Sequence, residues 1–319
     1  MQSVIMLAFT QPVPVVFGGT RIGNREQFMP HTHLETFLKT LTRHDITKID
    51  TAQAYGNSEA TLGAIQAGSR FVIDTKWSPS SWTESSMPWA TSERIIRSAE
   101  ESISKLAVDQ VDIFYLHRPD PMTPISETLA AVNAIYKRGV FRRFGLSGFP
   151  ATEIEAVYNH CADHSYPLPV VYQGSYNPLS RHKESALLLT LRRLRISFYA
   201  YGTSAGGFFC KTAAQAREMA DSDAYISATC RPYLRNAKFV AILAQWNSIA
   251  EIEGVSSAEL TYRWVAYHSA LRSDQGDAFI IGASSPEQLD ETLSGIEKGP
   301  LSDNACASIQ EIWEKVKEV

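Results

Sequence analysis

VDIFYLHRPDPMTPISETLAAVNAIYKRGVFRRFGLSG, residues 111–148, reads as strand, helix, strand. An apolar run rich in Ile, Phe and Tyr begins at Val111 and ends at His117. A helical segment starts at Ile125, with Gly139 just past it where a left-handed residue ends a helix, and a second apolar run begins at Phe141. A helix between two strands returns the chain so that the strands lie parallel.

The same alternation continues almost end to end. Strands are expected in VPVVFGG from Val13, KIDTA from Lys48, FVIDTKW from Phe71, VDIFYLH from Val111, FRRFGLSG from Phe141, VVYQGSYN from Val170, ISFYAYG from Ile196 and DAFIIGAS from Asp277. Between them lie helical segments such as SERIIRSAEESISKL, where Ile95, Ile96, Ala99, Ile103 and Leu106 share a face and Ser92 is placed as the N-cap. Others are ATEIEAVYNHCADH from Ala151 and ESALLLTLRRL from Glu184.

Eight such units predict an α/β fold, a closed (β/α)8 TIM barrel, with residues 1–319 forming one domain. The open doubly wound sheet is disfavoured because Gly18-Gly19-Thr20-Arg21-Ile22-Gly23 lacks the middle glycine of G-x-G-x-x-G. A long loop is expected after the seventh strand, from about Ser204 to Asn236, and a C-terminal helix from Ser302 that packs across the barrel.

Composition sets the outer bounds. The chain has 319 residues, 44% hydrophobic and 20% charged, which suits a globular protein and excludes a disordered or fibrous one. Lys+Arg 30 against Asp+Glu 34 leaves a net charge of −4, so no basic field invites nucleic acid. Its four cysteines, Cys161, Cys210, Cys230 and Cys306, are scattered with no C-x-x-C pair and no His cluster at metal-ligand spacing, as expected of reduced thiols. The short apolar patch Val4–Phe9 has no basic residue before it and makes a poor signal peptide, and no 18-residue apolar run occurs. A soluble cytoplasmic protein is the expectation.

In a barrel of this kind catalytic side chains sit at the C-terminal ends of strands. Asp50 lies in the end of the second strand, which runs into Tyr55, Lys76 lies in the end of the third and His117 ends the fourth. A phenol is a weak acid that gains acidity beside a cation; Lys76 can be that cation, Asp50 can keep a buried ammonium charged, and His117 can donate a hydrogen bond to a substrate oxygen. Taken singly, an Asp–Lys pair at a strand end is more often a structural ion pair, and a lone histidine more often a satisfied core residue. Their joint placement is what argues for chemistry.

These residues carry a resemblance. Asp50-Thr51-Ala52 with Tyr55-Gly56, Asp74-Thr75-Lys76, and Asp112 to Asp120 (DIFYLHRPD) resemble the aldo-keto reductases. Phe144-Gly145-Leu146-Ser147, Val171-Tyr172-Gln173-Gly174, Phe198-Tyr199-Ala200-Tyr201, Ala205-Gly206-Gly207 and Ile281-Gly282-Ala283-Ser284-Ser285 resemble the aflatoxin aldehyde reductase branch in particular. The match covers nearly the whole chain, with its motifs in order.

The resemblance implies an NADPH-dependent carbonyl reductase in which hydride passes from the nicotinamide to the carbonyl. Tyr55 would be the general acid, Lys76 its pKa-lowering partner, Asp50 the anchor of Lys76 and His117 the orienting donor. The carboxamide would lie against Ser147 and Gln173, with Tyr201 stacked on the ring and Gly19, Thr20 and Arg21 approaching the cofactor. Ala205 and Gly206 would allow close approach of the pyrophosphate, though Gly206-Gly207 alone reads better as a flexible turn. Ser284 and Gln288, at a strand end entering a helix, would hold the adenosine phosphate end. A homodimer is also implied.

Some positions depart from that pattern. Gly148 stands where an Asn usually grips the carboxamide, Gly202-Thr203-Ser204 replaces Asn-Pro-Leu, Thr292 replaces a late adenine-contacting Asn, and the loop after Gly207 lacks Thr-Gly-Lys-Tyr. NADPH binding weaker than the family's is expected. Two rival functions use the same residues: a redox-neutral lyase, isomerase or cyclase, favoured by the altered cofactor positions, and a non-catalytic regulatory barrel. For the substrate, a small-molecule carbonyl compound, Trp77, Arg118 and Phe149 follow strand ends, and Trp82, Phe208, Tyr225 and Tyr233 lie on loops that could close over the site. An aromatic or polyketide-like aldehyde or ketone fits such walls. Arg118 can pair with a substrate carboxylate or bridge to Asp120.

Overall fold

The computed structural model describes residues 11–24, 31–78, 87–220 and 227–318. Eight strands form one closed parallel barrel: β1 (Val15–Gly18), β2 (Lys48–Asp50), β3 (Val72–Trp77), β4 (Val111–Leu116), β5 (Phe141–Ser147), β6 (Pro169–Ser175), β7 (Ser197–Tyr201) and β8 (Ala278–Ile281). Each pairs with the next in sequence, and β8 returns to β1 through Val16↔Ile280. All eight expected strands are present, with ends shifted by up to three residues.

Among the described residues twelve α-helices follow in chain order: α1 (His31–Arg43), α2 (Ser58–Ala64), α3 (Ser92–Leu106), α4 (Ile125–Lys137), α5 (Ala151–Asp163), α6 (Ala186–Arg193), α7 (Ala213–Ala220), α8 (Arg231–Leu234), α9 (Ala237–Glu253), α10 (Ser257–Tyr267), α11 (Pro286–Glu297) and α12 (Asp303–Val316). The period of α3 buries Ile95, Ala99 and Leu106 against the barrel, with Ile96 and Ile103 at the margin. Its N-terminus differs from expectation. Thr91 is the N-cap, while Ser92 lies inside the helix and donates its backbone N–H to Glu127 Oε1 at 2.9 Å. A carboxylate from α4 thus meets a donor that a cap would otherwise satisfy.

Past α4, Gly139 takes φ +77°, the left-handed stop its position implied. Where a long loop is expected after β7, the described residues include the helices α7 and α8. The C-terminal α12 packs along the flank against α9, and Trp313 reaches His182. Among the described residues no helix is long and apolar enough to cross a membrane.

Side-chain parity decides what the barrel encloses. A packed interior layer contains Val16, Ile113, Tyr115, Val171, Tyr199, Ala278 and Ile280, while Phe114 and Leu116 face the helices with the larger core. On β2 and β3 the inward residues are charged, Lys48 and Asp50 beside Asp74 and Lys76, and the register pairs Asp50 with Asp74. The strand ends therefore carry an ion pair into the mouth of the barrel.

Candidate active site

Lys76 is fully buried, and its Nζ donates to Asp50 Oδ2 at 2.6 Å and to the Thr51 carbonyl at 2.8 Å. Asp50 Oδ1 accepts from Gln173 Nε2 at 2.8 Å. The ammonium also lies 4.9 Å from the centroid of the Tyr55 ring. Tyr55 is half-buried on the turn after β2, which is held by Tyr55 N–H to the Ala52 carbonyl (2.9 Å) and by Asn24 Nδ2 to the Tyr55 carbonyl (2.7 Å). The His117 and Tyr55 rings form a T-shaped pair, with centroids 5.8 Å apart. All four ionisable groups singled out in the sequence therefore converge at one mouth.

Burial and charge set their protonation. Burial pushes the Tyr55 phenol up, and although Lys76 pulls it down by charge and hydrogen bond, the balance stays above the ordinary tyrosine value. Lys76 acts in the expected direction but does not prevail. Burial opposes charge on Lys76 itself, yet Asp50 outweighs it and the ammonium is held above its usual range. Burial, with the nearby charges of Lys76 and Arg118, drives His117 down to about 3. At neutral pH the mouth holds a protonated phenol, an ammonium and a neutral imidazole. Such a set can give a proton and a hydrogen bond to an oxygen placed between them.

Around that mouth the residues assigned to a dinucleotide form two walls. Gly19, Thr20 and Arg21 make a tight turn after β1, tied down because Ser58 Oγ donates to the Gly19 carbonyl at 2.9 Å and Thr51 Oγ1 donates to Ser58 Oγ at 2.8 Å. Across from it, Arg21 Nη1 donates to Ser284 Oγ at 2.5 Å, Ser284 N–H donates to Gln288 Oε1 at 2.6 Å, and Ser285 caps α11 through Gln288 N–H. A guanidinium and the start of a twelve-residue helix so face the same space, a donor set suited to phosphate.

The turn Ala205–Gly207 lies beyond β7. Gly206 has φ +64°, and a Cβ there would meet Ser227 Oγ and Thr229 Oγ1 at 2.7 Å, so the returning chain requires glycine. Gly207 has open space on its Cβ side. Ser147 and Gln173 stand in register on β5 and β6, and Tyr201, at the end of β7, is partly exposed. The donors and the glycine turn fit a bound nicotinamide dinucleotide. Gln173, however, already gives one N–H to Asp50, which leaves its carbonyl oxygen and its second N–H as handholds.

The substrate walls need correction. Trp77, Phe149 and Phe208 are buried in the helix-side core rather than lining a cleft; Trp77 follows the inward Lys76 and by alternation points outward. Tyr233 packs against Phe208 and Phe239, its hydroxyl accepting from Asn177 Nδ2 at 2.9 Å. Trp82 and Tyr225 lie outside the described residues. Arg118 stacks over Trp89, 4.3 Å from the ring centroid, and Asp120 accepts from the N–H groups of Trp89, Ala90 and Met122 and from the Thr123 hydroxyl.

Several contributors carried no sequence signal. Ser78 meets His117, Gln53 braces Ser78, and Asn24 holds the Tyr55 turn. Beside α11, a cavity of about 310 Å³ is lined by Lys211, Asn247, Gln288, Glu291 and Thr292. Only Gln288 and Thr292 of these were marked, by resemblance.

A barrel with a buried Lys–Asp pair beside a phenol and an imidazole at its mouth is suited to carbonyl chemistry, and comparison with known proteins gives the family. The profile of the Aldo/keto reductase family matches residues 14–314, so the chain belongs to that family, which generally uses a nicotinamide cofactor. It is similar to Oxidoreductase sirO of Leptosphaeria maculans, 34% identical over 95% of this chain and 94% of the relative. It is also similar to Aflatoxin B1 aldehyde reductase member 2 of Rattus norvegicus, 31% identical over 94% of this chain and 84% of the relative, and to Aldo-keto reductase pigE of Monascus ruber, 28% identical over 96% and 95%.

Proposed function

We propose that this chain reduces an aldehyde or ketone to the alcohol with NADPH as reductant, Tyr55 acting as general acid. The observation that carries the reading is the fully buried Lys76 ammonium, 2.6 Å from Asp50 and 4.9 Å from the Tyr55 ring. Asp50 compensates a charge that burial would otherwise remove, and Lys76 stabilises the phenolate formed when Tyr55 gives up its proton. His117, neutral, orients the carbonyl oxygen between itself and the phenol. NADPH, when bound, supplies the hydride. Ser147, Gln173 and Tyr201 would hold its nicotinamide end, Gly19, Thr20, Ala205 and Gly206 its middle, and Arg21, Ser284 and Gln288 its phosphates.

For the substrate, an extended or aromatic aldehyde is the preferred class, in line with the aflatoxin aldehyde named for the rat relative. Loss of NADPH absorbance with a panel of aromatic and aliphatic aldehydes tests the reading. Tyr55→Phe should lower turnover by roughly 10²–10⁴-fold while NADPH still binds. Undiminished reduction by Tyr55→Phe would sink the assignment, and product formed without nicotinamide would point to redox-neutral chemistry instead. Because Tyr55 titrates above its ordinary range and His117 near 3, kcat should be flat from about pH 5 to about pH 9.

A further inference from the structure

We propose that Ser78 is a positioning residue that fixes the tautomer of His117, its hydroxyl donating to Nδ1 so that the ring proton resides on Nε2. The proposal rests on the reading of His117 as the donor to the carbonyl oxygen. Ser78 is the first residue after β3, and the strand ladder brings it to His117: the His117 N–H donates to the Trp77 carbonyl at 3.1 Å. From there Ser78 Oγ lies 2.5 Å from His117 Nδ1.

A neutral imidazole has one nitrogen that donates and one that accepts. A serine hydroxyl can satisfy either, so the contact alone allows two arrangements. The function of the mouth separates them. Were Nδ1 to carry the proton, Nε2 would present a lone pair, which repels a carbonyl oxygen. With Ser78 donating to Nδ1, the ring proton sits on Nε2, and an Nε2–H attracts that oxygen where a lone pair would repel it. His117 is held neutral by burial and by Lys76 and Arg118, so tautomer choice, rather than protonation, is the variable that Ser78 controls.

Ser78 is itself fixed from outside the barrel. Its backbone N–H donates to Gln53 Oε1 at 3.2 Å, and Gln53 Nε2 donates to the Ser98 carbonyl and to Ser102 Oγ, both at 2.9 Å, on α3. Gln53 N–H in turn donates to the Lys76 carbonyl at 3.2 Å. One amide side chain thus locks the end of β3 to a helix, and the hydroxyl next in line meets His117. The anchor fixes where the Ser78 hydroxyl oxygen sits, within reach of Nδ1, and leaves its O–H to turn toward that nitrogen.

The test is ¹⁵N NMR of the full chain labelled at histidine, read through ring two-bond correlations, with kcat measured in parallel and folding checked by circular dichroism. The wild type should show His117 as the Nε2–H tautomer. Ser78→Ala should redistribute the proton between the two nitrogens and lower kcat by one to two orders of magnitude with little change in KM for the cofactor. Ser78→Thr, which keeps the hydroxyl, should restore both. A wild type in the Nδ1–H form, or a Ser78→Ala protein with an unmoved ring proton, overturns the proposal. A moved proton with undiminished kcat supports the Ser78 contact and instead counts against the role given to His117.

Discussion

Two charge clusters sit inside the same barrel, one pleat apart, and only one of them meets the mouth. In the upper layer Asp50 has both oxygens engaged, Oδ2 by Lys76 and Oδ1 by Gln173, and the ammonium faces a phenol. In the lower layer Asp112 takes Arg143 on two hydrogen bonds, at 3.1 and 2.6 Å, and Lys48 at 3.1 Å. Its neighbour Asp74 accepts from Ile113 N–H at 3.1 Å through Oδ1, while Oδ2 has no hydrogen-bond partner among the described residues. Burial drives Asp74 up to about 8 although Lys48 and Arg143 pull it down. Equal residue types so give a poised acid above and a static plug below. Contact with a group that can pass a proton to the mouth makes the difference.

The largest effect should come from breaking the upper pair. Lys76→Met leaves Asp50 buried beside Gln173 without its cation. Such a change costs about 3–5 kcal/mol of stability, and reduction should fall below detection in the NADPH absorbance assay. Adding Asp50→Asn should return most of the stability without returning activity. A double variant as unstable as the single one would show that the pair is not what binds the two strands together.

The lower layer should respond to pH instead. Below about pH 4 the Asp74 carboxyl is protonated in folded and unfolded chain alike. Between its ordinary 3.8 and the folded value of about 8, the folded chain keeps a proton that the unfolded chain has released. Folding then takes up a proton, and stability falls as pH rises, by about 1.4 kcal/mol per unit from this group, until the folded carboxyl also ionises. Asp74→Asn removes that slope. Denaturant melts should show the variant gaining on the wild type steadily from pH 5 to pH 8, with kcat unchanged; parallel pH profiles would mean that Asp74 is ionised in the native barrel.

The barrel was legible because its signal is repeated: eight apolar runs, each followed by a helical period, survive errors at any one end. Asp50, Lys76 and His117 were legible because strand ends are where a barrel displays chemistry. Contacts that join segments distant in sequence were not. Nothing in Trp77-Ser78 says that the hydroxyl will meet His117, and nothing around Glu127 says that it will serve the first turn of α3 in place of Ser92. The misplaced Trp77 was recoverable, since Lys76 inward forces its neighbour outward. Phe149 and Phe208 were not, because loop residues have no parity. The unusual proton on Asp74 depends on burial from all sides, which one strand cannot reveal.

The smallest expected effect concerns a handhold at the mouth. Gly148, directly after Ser147, takes φ +74°, a region that favours glycine and tolerates asparagine better than other side chains. A Cβ built there lies 3.5 Å from both Arg118 Cβ and the His117 carbonyl, ordinary contact rather than a clash. Gly148→Asn therefore fits at a backbone cost of about 1 kcal/mol or less. Its amide would stand beside Ser147, where Gln173 has one N–H already committed to Asp50. The wild type is expected to bind NADPH with a Kd above the submicromolar range, and one added hydrogen bond of about 1 kcal/mol should tighten it roughly fivefold. Fluorescence quenching by NADPH measures both proteins. Submicromolar binding by the wild type would show that Gly148 does not weaken the site; an unchanged Kd in the variant would place the carboxamide elsewhere than against Ser147.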